Sequence, residues 1–64
     1  MNKEHEFYIA LGRAITKARE AKSMSQTDLA NALGLVPTVV SRWERAVNKP
    51  SAYQLARMRE MIDL

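Results

Sequence analysis

The sequence has 64 residues, 47% of them hydrophobic and 27% charged, with a net charge of +3. It contains no cysteine, which excludes disulfides, thiol chemistry and a cysteine-based zinc site. No apolar run approaches the ~20 residues of a membrane span, and the opening Met-Asn-Lys-Glu-His-Glu carries no secretion signal, so a cytoplasmic protein without a membrane partner is expected.

A chain this short is expected to form one domain, residues 1–64, and to bury about 60% of its unfolded surface, so its core has to be efficient. The first helix is predicted from about Lys3 to Lys22. Phe7, Leu11, Ile15 and Ala18 recur at four, four and three, which is an amphipathic stripe. Asn2 suits the N-cap, Glu4 and Glu6 suit the positive helix end, and Arg19 and Lys22 suit the negative end. Gly12 lies inside this helix, either for close packing or as a neutral surface residue.

A second helix begins after Ser25 and ends at Gly34. Ser25 and Asp28 resemble a capping box, and Met24 stands opposite Leu29 as a hydrophobic staple requires. The third helix starts near Pro37, where no amide donor is needed, with Val36 as a poor N-cap, and runs to about Arg45. Residues 46–50 form a loop. The fourth helix follows Ser51, which pairs with Gln54 in a capping box, and Leu55, Met58 and Ile62 give its inward side with Tyr53 and Met61 flanking. No strand-like alternation or internal repeat occurs. The expected fold class is all-α, a bundle of four or five helices.

The second and third helices carry a recognisable geometry. Leu29, Ala30 and Leu33 face inward from one, Val40 and Trp43 from the other, and Leu35 fills the turn between them. Ala30 is small where the helices cross, and Gly34 sits where the chain reverses through a left-handed backbone. This is the layout of a helix-turn-helix.

Opposite Val40 and Trp43, the residues Thr38, Ser41, Arg42 and Arg45 form one polar stripe. A helix carrying short polar groups at its start and arginine beyond suits the DNA major groove. Arg42 can reach guanine bidentately, Thr38 offers a hydroxyl or a methyl to a base edge, and Ser41 can donate or accept. Pro37 and Val39 can give only shape or methyl contacts. Gln26, with Ser25 beside it, opens the second helix, whose free amides attract phosphate. Arg45, Asn48 and Lys49 stand ready for phosphates on the other side. Glu44 alone opposes the positive charge of Arg42, Arg45 and Lys49. Its burial against Arg19 would leave that face purely cationic.

Other chemistry finds no support. His5 has no convergent ligands, so no metal or cofactor is expected. The serines have no histidine base in a sensible place, there is no glycine-rich phosphate loop, and neither an enzyme nor a small-molecule ligand is expected.

At these residues the chain resembles the lambda-type phage repressor and Cro family, from about Leu11 to Leu55. The resemblance rests on Leu11-Gly12-x-x-Ile15-x-x-x-Arg19, Met24-Ser25-Gln26-x-x-Leu29-Ala30, Leu33-Gly34-Leu35, Val40-Ser41-Arg42-Trp43-Glu44-Arg45 and Pro50. It implies a phosphate clamp at Gln26, base reading by Pro37, Thr38, Ser41 and Arg42, and an ion pair between Arg19 and Glu44. The family's usual glutamines at the start of the recognition helix are replaced here by Pro37 and Thr38, which removes adenine-reading amides. Two common glycines are replaced by Ser23 and Ala46, so a different path is expected for those loops. Relatives that dimerise through a fifth helix carry more C-terminal sequence. Met61, Ile62 and Leu64 are the candidates for a dimer contact, with Ile62 suiting the core nearly as well.

The expected function is a sequence-specific regulator of transcription that binds double-stranded DNA as a homodimer on a pseudo-palindrome and represses. The alternative is a helical module that binds a protein partner, antitoxin-like, with little sequence-specific DNA binding.

Overall fold

The computed structural model describes residues 2–64. Within them the chain forms α1 (Lys3–Ala21), α2 (Gln26–Leu33), α3 (Pro37–Glu44) and α4 (Ala52–Arg59), with no strand among the described residues. The Asn2 side chain caps α1 by accepting from the amides of Glu4 and His5. Ser25 with Asp28 and Ser51 with Gln54 complete reciprocal capping boxes at α2 and α4. Helix α3 has no side-chain cap and relies on Pro37 in its first turn, where a donor would go unused.

The first three helices end alike. Met24 donates to the Arg19 carbonyl at 3.0 Å, Leu35 to Ala30 at 2.8 Å and Val47 to Arg42 at 2.9 Å. One residue earlier, Ser23, Gly34 and Ala46 donate to Glu20, Asn31 and Trp43. Each is the paired bond of a Schellman ending, which needs a left-handed residue. Gly34 supplies it with φ 72°, but Ser23 and Ala46 adopt φ 56° and 58° without being glycine. The loops expected to diverge at Ser23 and Ala46 therefore keep the left-handed path. The carbonyls that close there outweigh a side chain's local strain.

Ile15, Ala18, Leu29, Ala30, Val40, Trp43, Met58 and Ile62 are buried together, with Leu11, Met24, Leu33, Leu35, Leu55, Met61 and Leu64 packed around them. At about 25 cal/mol per Å² of apolar area, this cluster is the main stabilising term of so small a fold. Helix α3 lies across both α1 and α2, while α4 leans on α2. Gly12 is buried at the α1–α3 crossing. A Cβ built there would meet the carbonyl oxygens of Glu44 at 2.6 Å and Trp43 at 2.7 Å, so the residue serves close packing.

Three expectations need correction. Phe7 continues the apolar stripe yet is 58% exposed. Helix α1 has 19 residues against eight in α3, about 28 Å against 12 Å, so its first turns overhang the bundle and burial begins at Gly12. Tyr53, expected beside the core, is 74% exposed, because it stands about 140° around α4 from Met58. Ile62 was a candidate dimer contact, but it is 1% exposed. Helix α4 stops at Arg59, and amides of Met61 and Ile62 both bond the Met58 carbonyl at 2.9 Å, turning Ile62 into the core.

Candidate nucleic-acid interface

Helix α3 divides cleanly. Val40 and Trp43 point into the core, while Pro37, Thr38, Arg42 and Arg45 are exposed and Ser41 is half-buried. The polar stripe predicted from spacing is therefore one continuous outer surface. No described side chain hydrogen-bonds or pairs with Thr38, Arg42 or Arg45.

The inner end of α3 is fixed by a charged network. Arg19 on α1 donates from Nε to Glu44 Oε2 at 2.8 Å and from Nη2 to Oε1 at 3.2 Å, a bidentate pair. Its Nη1 donates to the Met24 carbonyl at 2.8 Å, which ties down the α1–α2 turn. Gln26 at the start of α2 donates from Nε2 to Glu44 Oε1 at 2.9 Å. The side chains of Arg19 and Glu44 are only 11% and 7% exposed. Burial pushes the Glu44 carboxyl up, but the hydrogen bonds from Arg19 and Gln26 outweigh it and hold it below its ordinary range. The Glu44 hydrogen bond in turn raises the Arg19 guanidinium.

This geometry brings Arg19 and Glu44 together as the resemblance implies. With Glu44 turned inward and paired with Arg19, Arg42 and Arg45 have no acidic partner among the described residues, and Lys49 faces only the exposed Glu4 of α1. The network also includes Gln26, whose bond to Glu44 no sequence spacing signals. The start of α2 thus adjoins the end of α3, and Gln26 reaches the surface half-buried, with its position set by Glu44.

Ser25 is exposed, with its hydroxyl oxygen accepting from the Asp28 amide at 2.9 Å. Asp28 in return accepts from the Ser25 amide, and this bond lowers its carboxyl. After α3, the amides of Val47 and Asn48 bond the Arg42 carbonyl at 2.9 and 3.3 Å, folding the loop back over the helix end. Asn48 and Lys49 are exposed on that loop. Lys49 is also held from α1: its ammonium lies 3.6 Å from Glu4 and 5.2 Å from the centre of the Tyr8 ring. The sequence marks Glu4 only as a favourable charge at the helix start and gives no sign of Tyr8, because nothing in it tells which turn of α1 the loop crosses.

Among the described residues, four helices, a glycine-closed turn between α2 and α3, and a solvent-facing third helix define a helix-turn-helix. A family model described as helix-turn-helix matches residues 15–63. The chain belongs to this helix-turn-helix family, whose members of the Cro and lambda-repressor type it resembled at the level of motifs, and the family match supports a DNA-binding module. It is also similar to Multiprotein-bridging factor 1 of Saccharomyces cerevisiae, with 44% identity over 48 residues. That match covers 75% of this chain and 32% of the yeast protein, so the chain spans about a third of its relative's length. No helix among the described residues is long and apolar enough to cross a membrane.

Proposed function

We propose that the chain is a sequence-specific regulator that places α3 in the major groove of double-stranded DNA. The observation that carries this is the outward stripe of Thr38, Ser41, Arg42 and Arg45, opposite the buried Val40 and Trp43. Arg42 reads guanine, Thr38 and Ser41 contact base edges beside it, and Pro37 supplies shape. Ser25 and Gln26 at the start of α2, and Arg45, Asn48 and Lys49 beyond α3, grip the backbone. Repression follows from occupancy, since a bound module excludes other proteins from the same DNA.

A single module of this size makes a small interface and binds weakly. A dimer on a pseudo-palindrome would set two recognition helices about 34 Å apart. Half-buried Met61 and Leu64 remain its candidate contacts. The 64 residues act as one unit in the cytoplasm, where such a regulator meets its DNA.

Selection of bound duplexes from random DNA is the direct test. A shared motif containing guanine is expected, and Arg42→Ala should abolish preference for that motif over random DNA. Equal affinity for all sequences would overturn the reading.

A second reading is that this surface, or another, docks a protein. Two observations favour it: the name of the yeast relative, a bridging factor, and the exposed Phe7, Val47 and Tyr53. It expects Arg42→Ala to leave DNA preference unchanged.

A further inference from the structure

We propose that Tyr8 is a positioning residue for DNA binding: its ring holds the Lys49 ammonium ready on the loop that follows α3. The inference rests on the DNA-binding reading and deepens it, since Lys49 is one of the residues assigned there to phosphate.

Lys49 spans an open groove of about 330 Å³ between the start of α1 and this loop. Its stem is anchored on one side, because the loop amides of Val47 and Asn48 are tied to the Arg42 carbonyl. Its tip is held on the other, 5.2 Å from the centre of the Tyr8 ring and 3.6 Å from a Glu4 oxygen. Glu4 and Tyr8 are four apart on α1 and so share a face.

The two contacts differ in weight. The Glu4 pair is long, and its side chains are 60% and 70% exposed, so salt and water screen it. The ring contact falls within the ~6 Å over which an aromatic face attracts a cation. Phe7 fixes the orientation of that ring, meeting it edge-on at 5.1 Å and 83°. This gives the overhanging first turns of α1, and the exposed Phe7, a role that core packing does not.

Lysine loses much rotamer freedom when it is immobilised. A lysine already held over a ring loses less on meeting phosphate, which is preorganisation. Glu4 plays the opposite part: it is the anion that a phosphate displaces.

The test measures dissociation constants on the selected duplex between about 50 and 200 mM salt. It compares the native chain with Tyr8→Phe, Tyr8→Leu, Glu4→Gln, Lys49→Ala and the Tyr8→Leu/Lys49→Ala double variant. Tyr8→Leu should weaken binding by about two- to five-fold, within the ordering cost of one rotamer-rich side chain that the ring has already met. Tyr8→Phe keeps the ring face and should match the native chain. Glu4→Gln should leave affinity unchanged or tighten it. Lys49→Ala should flatten the salt slope by about 0.9, and Tyr8→Leu should add nothing in that background.

Native affinity in Tyr8→Leu overturns the inference while leaving DNA binding intact. So does an equal loss with and without Lys49, which is also what a damaged fold would give. Weakening by Tyr8→Phe moves the effect to the hydroxyl, weakening by Glu4→Gln moves it to the carboxylate, and either overturns the inference. A native chain that binds no duplex overturns the inference and the DNA-binding reading together.

Discussion

Gly12 of α1 and Glu44 of α3 approach so closely that a single added carbon has no room: a Cβ on Gly12 would lie 2.6 Å from the Glu44 carbonyl oxygen. The obstacle is backbone, which cannot swing aside. Alanine would improve helix propensity by up to ~1 kcal/mol, but overpacking costs about 1–3 kcal/mol, so the clash wins. Gly12→Ala should lower the melting temperature by about 4–8 °C for each net kcal/mol lost. A thermal melt followed by circular dichroism checks it, and an unchanged or raised midpoint contradicts the close crossing.

Ser23 and Ala46 invite the opposite substitution. Both hold φ near 57°, and a left-handed backbone costs a non-glycine residue about 1–2 kcal/mol. Glycine removes that strain but adds freedom to the unfolded chain. Ser23→Gly and Ala46→Gly should each stabilise by about 0.5–1 kcal/mol, roughly additively because they close different helices. Urea titration of the single and double variants measures this, and a loss of stability in both would show that the endings are not strained.

Removing the Glu44 carboxylate strands a charge. Arg19 is 11% exposed and would keep only the Met24 carbonyl as a partner. Breaking a buried pair from one side costs about 3–5 kcal/mol, a large share of what a small fold can supply. Glu44→Ala should therefore leave the chain largely unfolded at 37 °C. Arg19→Met/Glu44→Leu, which removes both charges, should recover much of the loss. If the double variant is as unstable as the two single losses added, the network has been misjudged.

The same carboxylate sets an acid limit. Glu44 sits below its ordinary 4.5 when folded, and Asp28 below its ordinary 3.8. The unfolded chain therefore binds these protons first as pH falls. Their stabilisation is complete above the unfolded values and is lost as pH drops through the folded ones. The melting temperature should hold steady from pH 7 to about 5.5 and fall below about 4.5. In Glu44→Gln the acid fall should be shallower, and an identical fall would remove Glu44 from the account.

Much of this was legible from spacing. The cap at Asn2 depends on a residue within three of it, the capping boxes at Ser25 and Ser51 on partners three apart, and the inward pairs Leu29–Leu33 and Val40–Trp43 on helical period. Local rules reach that far. Phe7 defeated them because periodicity tells which side of a helix is apolar, not how far its partner extends. Ile62 was ambiguous because its burial depends on where α4 stops. The loops at Ser23 and Ala46 were misjudged from composition, since local strain was weighed without the carbonyls that the endings satisfy. Of the candidate site, the outward direction of Thr38, Arg42 and Arg45 was legible from helical spacing. Its supports, Gln26 on Glu44 and Tyr8 under Lys49, join segments far apart in sequence and became visible only with the helices in place.

One carboxylate receives hydrogen bonds from two other helices, and with α3 as the proposed recognition helix this limits how a target could change. Tilting α3 to suit a different groove would pull Glu44 away from Arg19 and Gln26 together. New preferences should therefore arise by exchanging the outer side chains on a fixed axle, or by choosing DNA that bends to meet it, rather than by redocking the helix.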